Sequence, residues 1–202
     1  MSRNFKIGCV VIGAIVVVFA LGTYAYVKNT YNSFVSMDES INQTWAQVQN
    51  VYQRRYDLIP NLVETVKGYA EHEQETLTKV TEARAKVGGI TQIQADNLTP
   101  EMLQQFQQAQ SGLSGALQRL MVVVERYPDL KANQNFIGLQ DELAGTENRI
   151  ALERKRFNEA VQVYNSRIRQ FPANMLANMF GFAQKPYFES DQGAEQAPKV
   201  EF

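Results

Sequence analysis

The sequence predicts an all-α protein: an N-terminal transmembrane helix followed by an antiparallel up-and-down four-helix bundle of long helices. Three observations carry this. Residues 7–27 run without a charge between Lys6 and Lys28. Beyond them, apolar residues recur with steps of three and four over long stretches, the spacing of a buried helix face. Glycine (12) and proline (6) are scarce, and the prolines at 60, 100, 128, 172, 186 and 198 leave long uninterrupted segments.

The anchor comes first. At ~1.5 Å per residue the 7–27 segment spans a hydrocarbon core of ~30 Å, and Tyr24 and Tyr26 stand at its far end, where amphipathic rings favour the headgroup level. A cleaved signal peptide is the competing reading, from basic Arg3 and Lys6 and the small residues about Tyr24. The apolar run is longer than the usual core of such a peptide, so retention is expected. Cys9 stands near the start of the run rather than after it, which argues against a lipidated cysteine. Arg3 and Lys6 precede the span and Lys28 alone follows it before Arg54. That asymmetry predicts the N-terminus inside and the bundle outside, on the periplasmic side of a bacterial inner membrane.

The first bundle helix is expected over residues 29–59 through Tyr31, Phe34, Ile41, Trp45, Val48 and Tyr52. Pro60 is read as a sharp turn rather than a kink, because a turn there divides the chain into four helices of comparable length. The second helix covers 60–87 through Val63, Val66, Ala70, Leu77 and Val80, ended by Gly88-Gly89. Thr99-Pro100 opens the third, with Thr99 placed to cap and Pro100 preset for the first turn, after a loop over 90–98. Pro128 ends that helix. A last long helix reaches Phe171 through Phe136, Leu143, Ile150, Phe157, Val161, Tyr164 and Ile168. Residues 173–183 suggest a short apolar helix or hook, with Met179, Phe180 and Phe182 set to cover one bundle end or to touch the bilayer or a neighbouring subunit. From Gln184 the tail should be extended. The expected division is 1–6, a short N-terminal segment; 7–27, the transmembrane helix; 28–172, the bundle domain; and 173–202, hook and tail.

Composition excludes several chemistries. Three of the 20 basic residues lie in or beside the anchor, whereas all 21 acidic residues lie beyond it. The remainder is mildly acidic and unsuited to nucleic acid. One cysteine and one histidine nearly exclude disulfides, cysteine zinc sites and Cys/His pairs, since Cys9 falls inside the apolar segment, far along the chain from His72. Di-iron bundles need Glu-x-x-His on each of two helices, but Tyr69 stands three residues before His72, which reads as part of an acidic face with Glu71, Glu73 and Glu75. No cofactor, metal site or catalytic residue is expected.

Charges in seam positions are the candidates for interaction: Asp38, Arg55, Glu73, Arg84 and Arg154, with Gln110. A buried charge is costly unless paired, so they should pair with one another and fix register, or face another subunit. Tyr52, Arg54, Arg55 and Tyr56 meet Asp57, Pro60 and Asn61 at the expected first junction, where stitching of the bundle end competes with a small-molecule pocket.

These residues carry a resemblance. Tyr31-Asn32, Trp45-Ala46-Gln47-Val48, the run from Arg54 to Val63, Val66-Lys67-Gly68-Tyr69, Arg126-Tyr127-Pro128, Asn148-Arg149-Ile150, Tyr164-Asn165, Phe171-Pro172 and Lys185-Pro186-Tyr187-Phe188 together resemble the LemA family of bacterial membrane proteins over nearly the whole chain. The resemblance implies an N-terminally anchored helical bundle and a turn at Pro60. It offers no catalytic residues. It associates some members with magnetosome membrane formation and others with membrane metalloproteases.

The leading expectation is a membrane-anchored, non-enzymatic scaffold or adaptor. Its partners would be the lipid bilayer, further copies of itself and membrane or envelope proteins such as a metalloprotease. The alternative is a ligand-binding sensor bundle with its site near the first helix junction.

Overall fold

The computed structural model describes residues 3–89 and 98–189, with side chains from residue 11 onward. Residues 90–97 of the expected 90–98 loop and the tail beyond 189 lie outside the described residues. Those described are helical wherever they are regular: α1 (Arg3–Lys67), α2 (Gln74–Gly88), α3 (Pro100–Val124), α4 (Pro128–Lys131), α5 (Gln134–Arg169) and α6 (Ala173–Phe180). The chain forms two compact units, one from residues 1–40 and 162–184, the other from 41–161 and 185–202.

The turn expected at Pro60 is absent. α1 continues through it to Lys67, so the helices read as 29–59 and 60–87 do not exist as such. Two physical facts permit this. Ile41, Trp45, Val48, Tyr52, Arg55, Ile59, Leu62 and Val66 are all buried and keep their three-four spacing through Pro60, so the buried face stays in phase while Pro60 faces solvent. Proline deprives the Tyr56 carbonyl, four residues earlier, of its helical donor, and Arg84 Nε donates to that oxygen instead, at 3.2 Å. The chain turns at residues 68–73, where Tyr69 N–H reaches back three residues to Val66 O at 3.0 Å and Ala70 N–H reaches the same oxygen at 2.9 Å.

The other boundaries follow local chemistry. Thr99 caps α3 as expected, its side chain accepting from Met102 N–H at 3.2 Å with Pro100 in the first turn. Pro128 opens the short α4. Asn133 then caps α5, Oδ1 accepting from Asn135 N–H at 2.9 Å and Phe136 N–H at 3.1 Å. α6 ends at Gly181, whose φ of 78° is left-handed, and Phe182 N–H closes onto Ala177 O at 2.9 Å.

In the second unit the core runs through Leu58, Ile59, Leu62 and Val66 of α1, Leu77 and Val80 of α2, Leu113, Leu117 and Leu120 of α3, and Phe136 and Leu143 of α5. Burying an aliphatic side chain of this size contributes about 1.5–3 kcal/mol. In the first unit no described residue covers the apolar stretch of α1: Val11 to Leu21 include side chains 51% to 75% exposed. This helix is long and apolar enough to cross a bilayer.

Candidate functional site

Arg55 lies on the buried face of α1, only 2% exposed. Its guanidinium donates through Nη1 to Ser114 Oγ of α3 at 3.0 Å and to Glu147 Oε1 of α5, and through Nη2 to Gln110 Oε1 of α3. A cation so placed needs these partners, since an unpaired buried charge costs several kcal/mol. Half-exposed Glu147 neutralises it. Around the guanidinium is a cavity of about 110 Å³ lined by Tyr52, Arg55, Gln107, Gln110, Glu147 and Arg154 among others. Arg55 Nε and Gln110 Nε2 are buried with no hydrogen-bond partner among the described residues. At ~30 Å³ per water the space admits a few waters or one small anion, and the orphan atoms are donors, suited to oxygen acceptors.

Two residues that line this cavity also hold the tail. Gln107 Nε2 and Arg154 Nη2 both donate to the carbonyl of Glu189, at 3.1 and 2.8 Å, and Arg154 sits over the Phe188 ring at 5.0 Å. Asn158 pairs with the Phe188 backbone in both directions, at 2.9 and 3.0 Å. Phe188 is thereby buried against Trp45, Phe106 and Phe157, with ring centroids 6.0, 6.4 and 5.3 Å away. The sequence reading missed Phe188 as a core residue. Its signal was the Lys185-Pro186-Tyr187-Phe188 run, an aromatic pair in an otherwise polar tail.

The other expected residues are distributed. The cluster Arg54, Arg55, Asp57, Pro60 and Asn61 is not at a helix junction but on successive turns of α1. Only Arg55 faces the cavity: Arg54 pairs with Glu142, Asp57 accepts from Gln53 at 2.8 Å, and Pro60 and Asn61 are exposed. Glu73 is not a seam residue. It lies in the 68–73 turn, accepting from Arg126 at 2.9 Å and from Tyr127 Oη at 3.1 Å, and burial together with Glu73 holds the Tyr127 phenol above its ordinary pKa. Arg84 covers the Tyr56 ring. In the first unit, burial and, secondarily, Asp38 push the Tyr164 phenol up to about 12. Phe180 and Phe182 pack edge-on to Tyr31 at 5.0 and 5.7 Å, while Met179 is 64% exposed.

A second concavity, of about 540 Å³, runs along α2 and α3 over Ala83, Ala109, Gly112, Gly115 and Ala116, rimmed by Lys79, Glu82, Lys86 and Arg119. Among the described residues no three His, Cys, Asp or Glu side chains form a metal-ligand set.

Known proteins resemble this chain over most of its length. The magnetosome protein MamQ 2 of Paramagnetospirillum magneticum (strain ATCC 700264 / AMB-1) is 29% identical over 198 residues, 87% of this chain and 72% of the relative. The magnetosome protein MamQ of Magnetospirillum gryphiswaldense is 29% identical over 177 residues, covering 78% and 64%. Protein LemA of Metamycoplasma hominis is 25% identical over 162 residues, covering 80% and 69%. The uncovered apolar helix and these relatives together indicate a membrane-associated protein. The LemA family profile matches residues 44–202, which include Arg55, its cavity and the Phe188 clamp, and the chain belongs to the LemA family.

Proposed function

We propose that the protein is a membrane-anchored scaffold or adaptor that self-associates and organises membrane or envelope proteins without a catalytic step. The observation that supports this is α1 itself: an exposed apolar stretch leads, in one helix, into buried positions that begin at Thr30 and Phe34. The lysine and arginine asymmetry about the span favours the N-terminus inside a bacterial inner membrane and the second unit on the periplasmic side. The small-residue concavity of α2 and α3, with cations and an anion on its rim, offers the self-complementary face that a twofold contact requires. The family resemblance adds a membrane metalloprotease as a candidate partner.

The test is mass measurement of the full chain in nanodiscs. A defined oligomer is expected, and Gly112→Trp should disperse it by filling the concavity. Monomer alone, at concentrations where the protein is folded, overturns the reading.

A second reading, a sensor for a small anion, is favoured by the orphan donors Arg55 Nε and Gln110 Nε2. It expects phosphate or small carboxylates to raise the unfolding temperature and Arg55→Met to abolish that response. No response in the unaltered protein ends it.

A further inference from the structure

We infer that α6 is an interfacial helix whose outer face lies on the bilayer beside the emerging anchor. This rests on the membrane-anchor part of the reading above and goes beyond it. All the residues concerned belong to the first unit.

The level of α6 is fixed by aromatic contacts. Tyr31 is four residues beyond Val27, the last of the charge-free run, hence ~6 Å further along the helix axis. Phe180 and Phe182 pack on Tyr31 with centroids 5.0 and 5.7 Å away, and Phe182 reaches Phe34 at 5.1 Å. Gly181 permits this by its left-handed φ of 78°. The C-terminal end of α6 is therefore held where α1 leaves the apolar layer, within the ~5–10 Å zone that interfacial helices occupy.

The two faces of the segment differ. Ala173 and Ala177 are buried, at 0% and 2% exposure, whereas Met175 and Met179, both 64% exposed, stand four residues apart on one stripe of α6, and Phe171, just before the helix, is 82% exposed. No charge occurs from Gln170 to Gln184, while Arg167 and Arg169 precede the segment and Lys28 closes the span. Two exposed methionines beside an exposed aromatic ring are costly in water. With basic flanks at the same level the segment has the composition of a helix seated among lipid headgroups.

The experiment uses the full chain with Cys9→Ala, spin-labelled singly at Met175→Cys, Met179→Cys, Val16→Cys or Gln140→Cys. Each is reconstituted in vesicles of phosphatidylethanolamine and phosphatidylglycerol, and accessibility to oxygen and to a water-soluble nickel chelate is compared. Labels at 175 and 179 should fall between Val16 and Gln140, with oxygen access exceeding nickel access, while exposed Gln140 shows the reverse. Labels at 175 and 179 that behave like Gln140 overturn the proposal. So does protection from both reagents, the mark of a second copy or another protein on this face. If Val16 also reads as aqueous, the anchor itself falls and α6 with it.

Discussion

Arg84 donates its Nε–H to the main-chain oxygen of Tyr56 at 3.2 Å and lies 3.8 Å from the centre of the same residue's ring. Tyr56 is the residue whose carbonyl Pro60 leaves without an intrahelical donor. One side chain of α2 thus repairs the hydrogen-bond gap in α1, and the repair lets a 65-residue helix carry an internal proline.

Arg84→Met should therefore destabilise the second unit by about 1–3 kcal/mol, from the lost hydrogen bond and cation-π contact. In a Pro60→Ala background the amide at 60 can satisfy Tyr56, and the loss should shrink by about 1 kcal/mol. A double-mutant cycle by chemical denaturation in detergent measures this, and strict additivity would reject the repair.

Glycine substitutions should divide by location. Gly112 and Gly115 have open space around an added Cβ, so Gly112→Ala and Gly115→Ala should each stabilise by about 0.5–1 kcal/mol through helix propensity. At Gly88 an added Cβ would stand 3.0 Å from the Tyr56 hydroxyl. Gly88→Ala must displace the ring that Arg84 covers and should lower the unfolding midpoint.

The tail clamp can be tested separately. Phe188→Ala should cost about 3–5 kcal/mol as a large-to-small change in a packed core, and Asn158→Ala about 1–3 kcal/mol for two lost hydrogen bonds. Both should also speed limited proteolysis near Lys185 relative to the intact protein. Unchanged cleavage would mean that the clamp does not hold the tail.

Tyr164 supplies a pH prediction. Its phenol is pushed up to about 12 from an ordinary value of 10.0, by burial first and Asp38 second. Between those values the unfolded chain has released a proton that the folded protein keeps. Stability from this group is fully present below pH 10 and is lost as pH rises toward 12. Unfolding temperature should decline more steeply above pH 10 than in Tyr164→Phe, and parallel curves would count against it.

The long apolar N-terminal helix, the all-helical class and the cap at Thr99 were legible because each depends on neighbours in sequence. Pro60 was misread because its fate depends on Arg84, and no local rule supplies a donor from 28 residues away. The buried sequence Tyr52, Arg55, Ile59, Leu62 and Val66 did hold the answer, since its phase never breaks. Arg55 was recognised as a charge in an apolar slot, but Glu147 and Ser114 belong to other helices and carry no mark of pairing. Phe188 was invisible for the same reason: its seat comes from Trp45, Phe106 and Phe157.

That seat has a consequence for how the protein is made. Trp45 leaves the ribosome long before Phe188, with most of the chain between them, and contacts so distant in sequence form slowly. The anchor can enter lipid while the aromatic cluster still lacks its last ring. Until synthesis passes residue 188 the nascent domain carries an unfilled apolar socket, and a truncation only a few residues upstream would leave it in that state, open to proteases and chaperones.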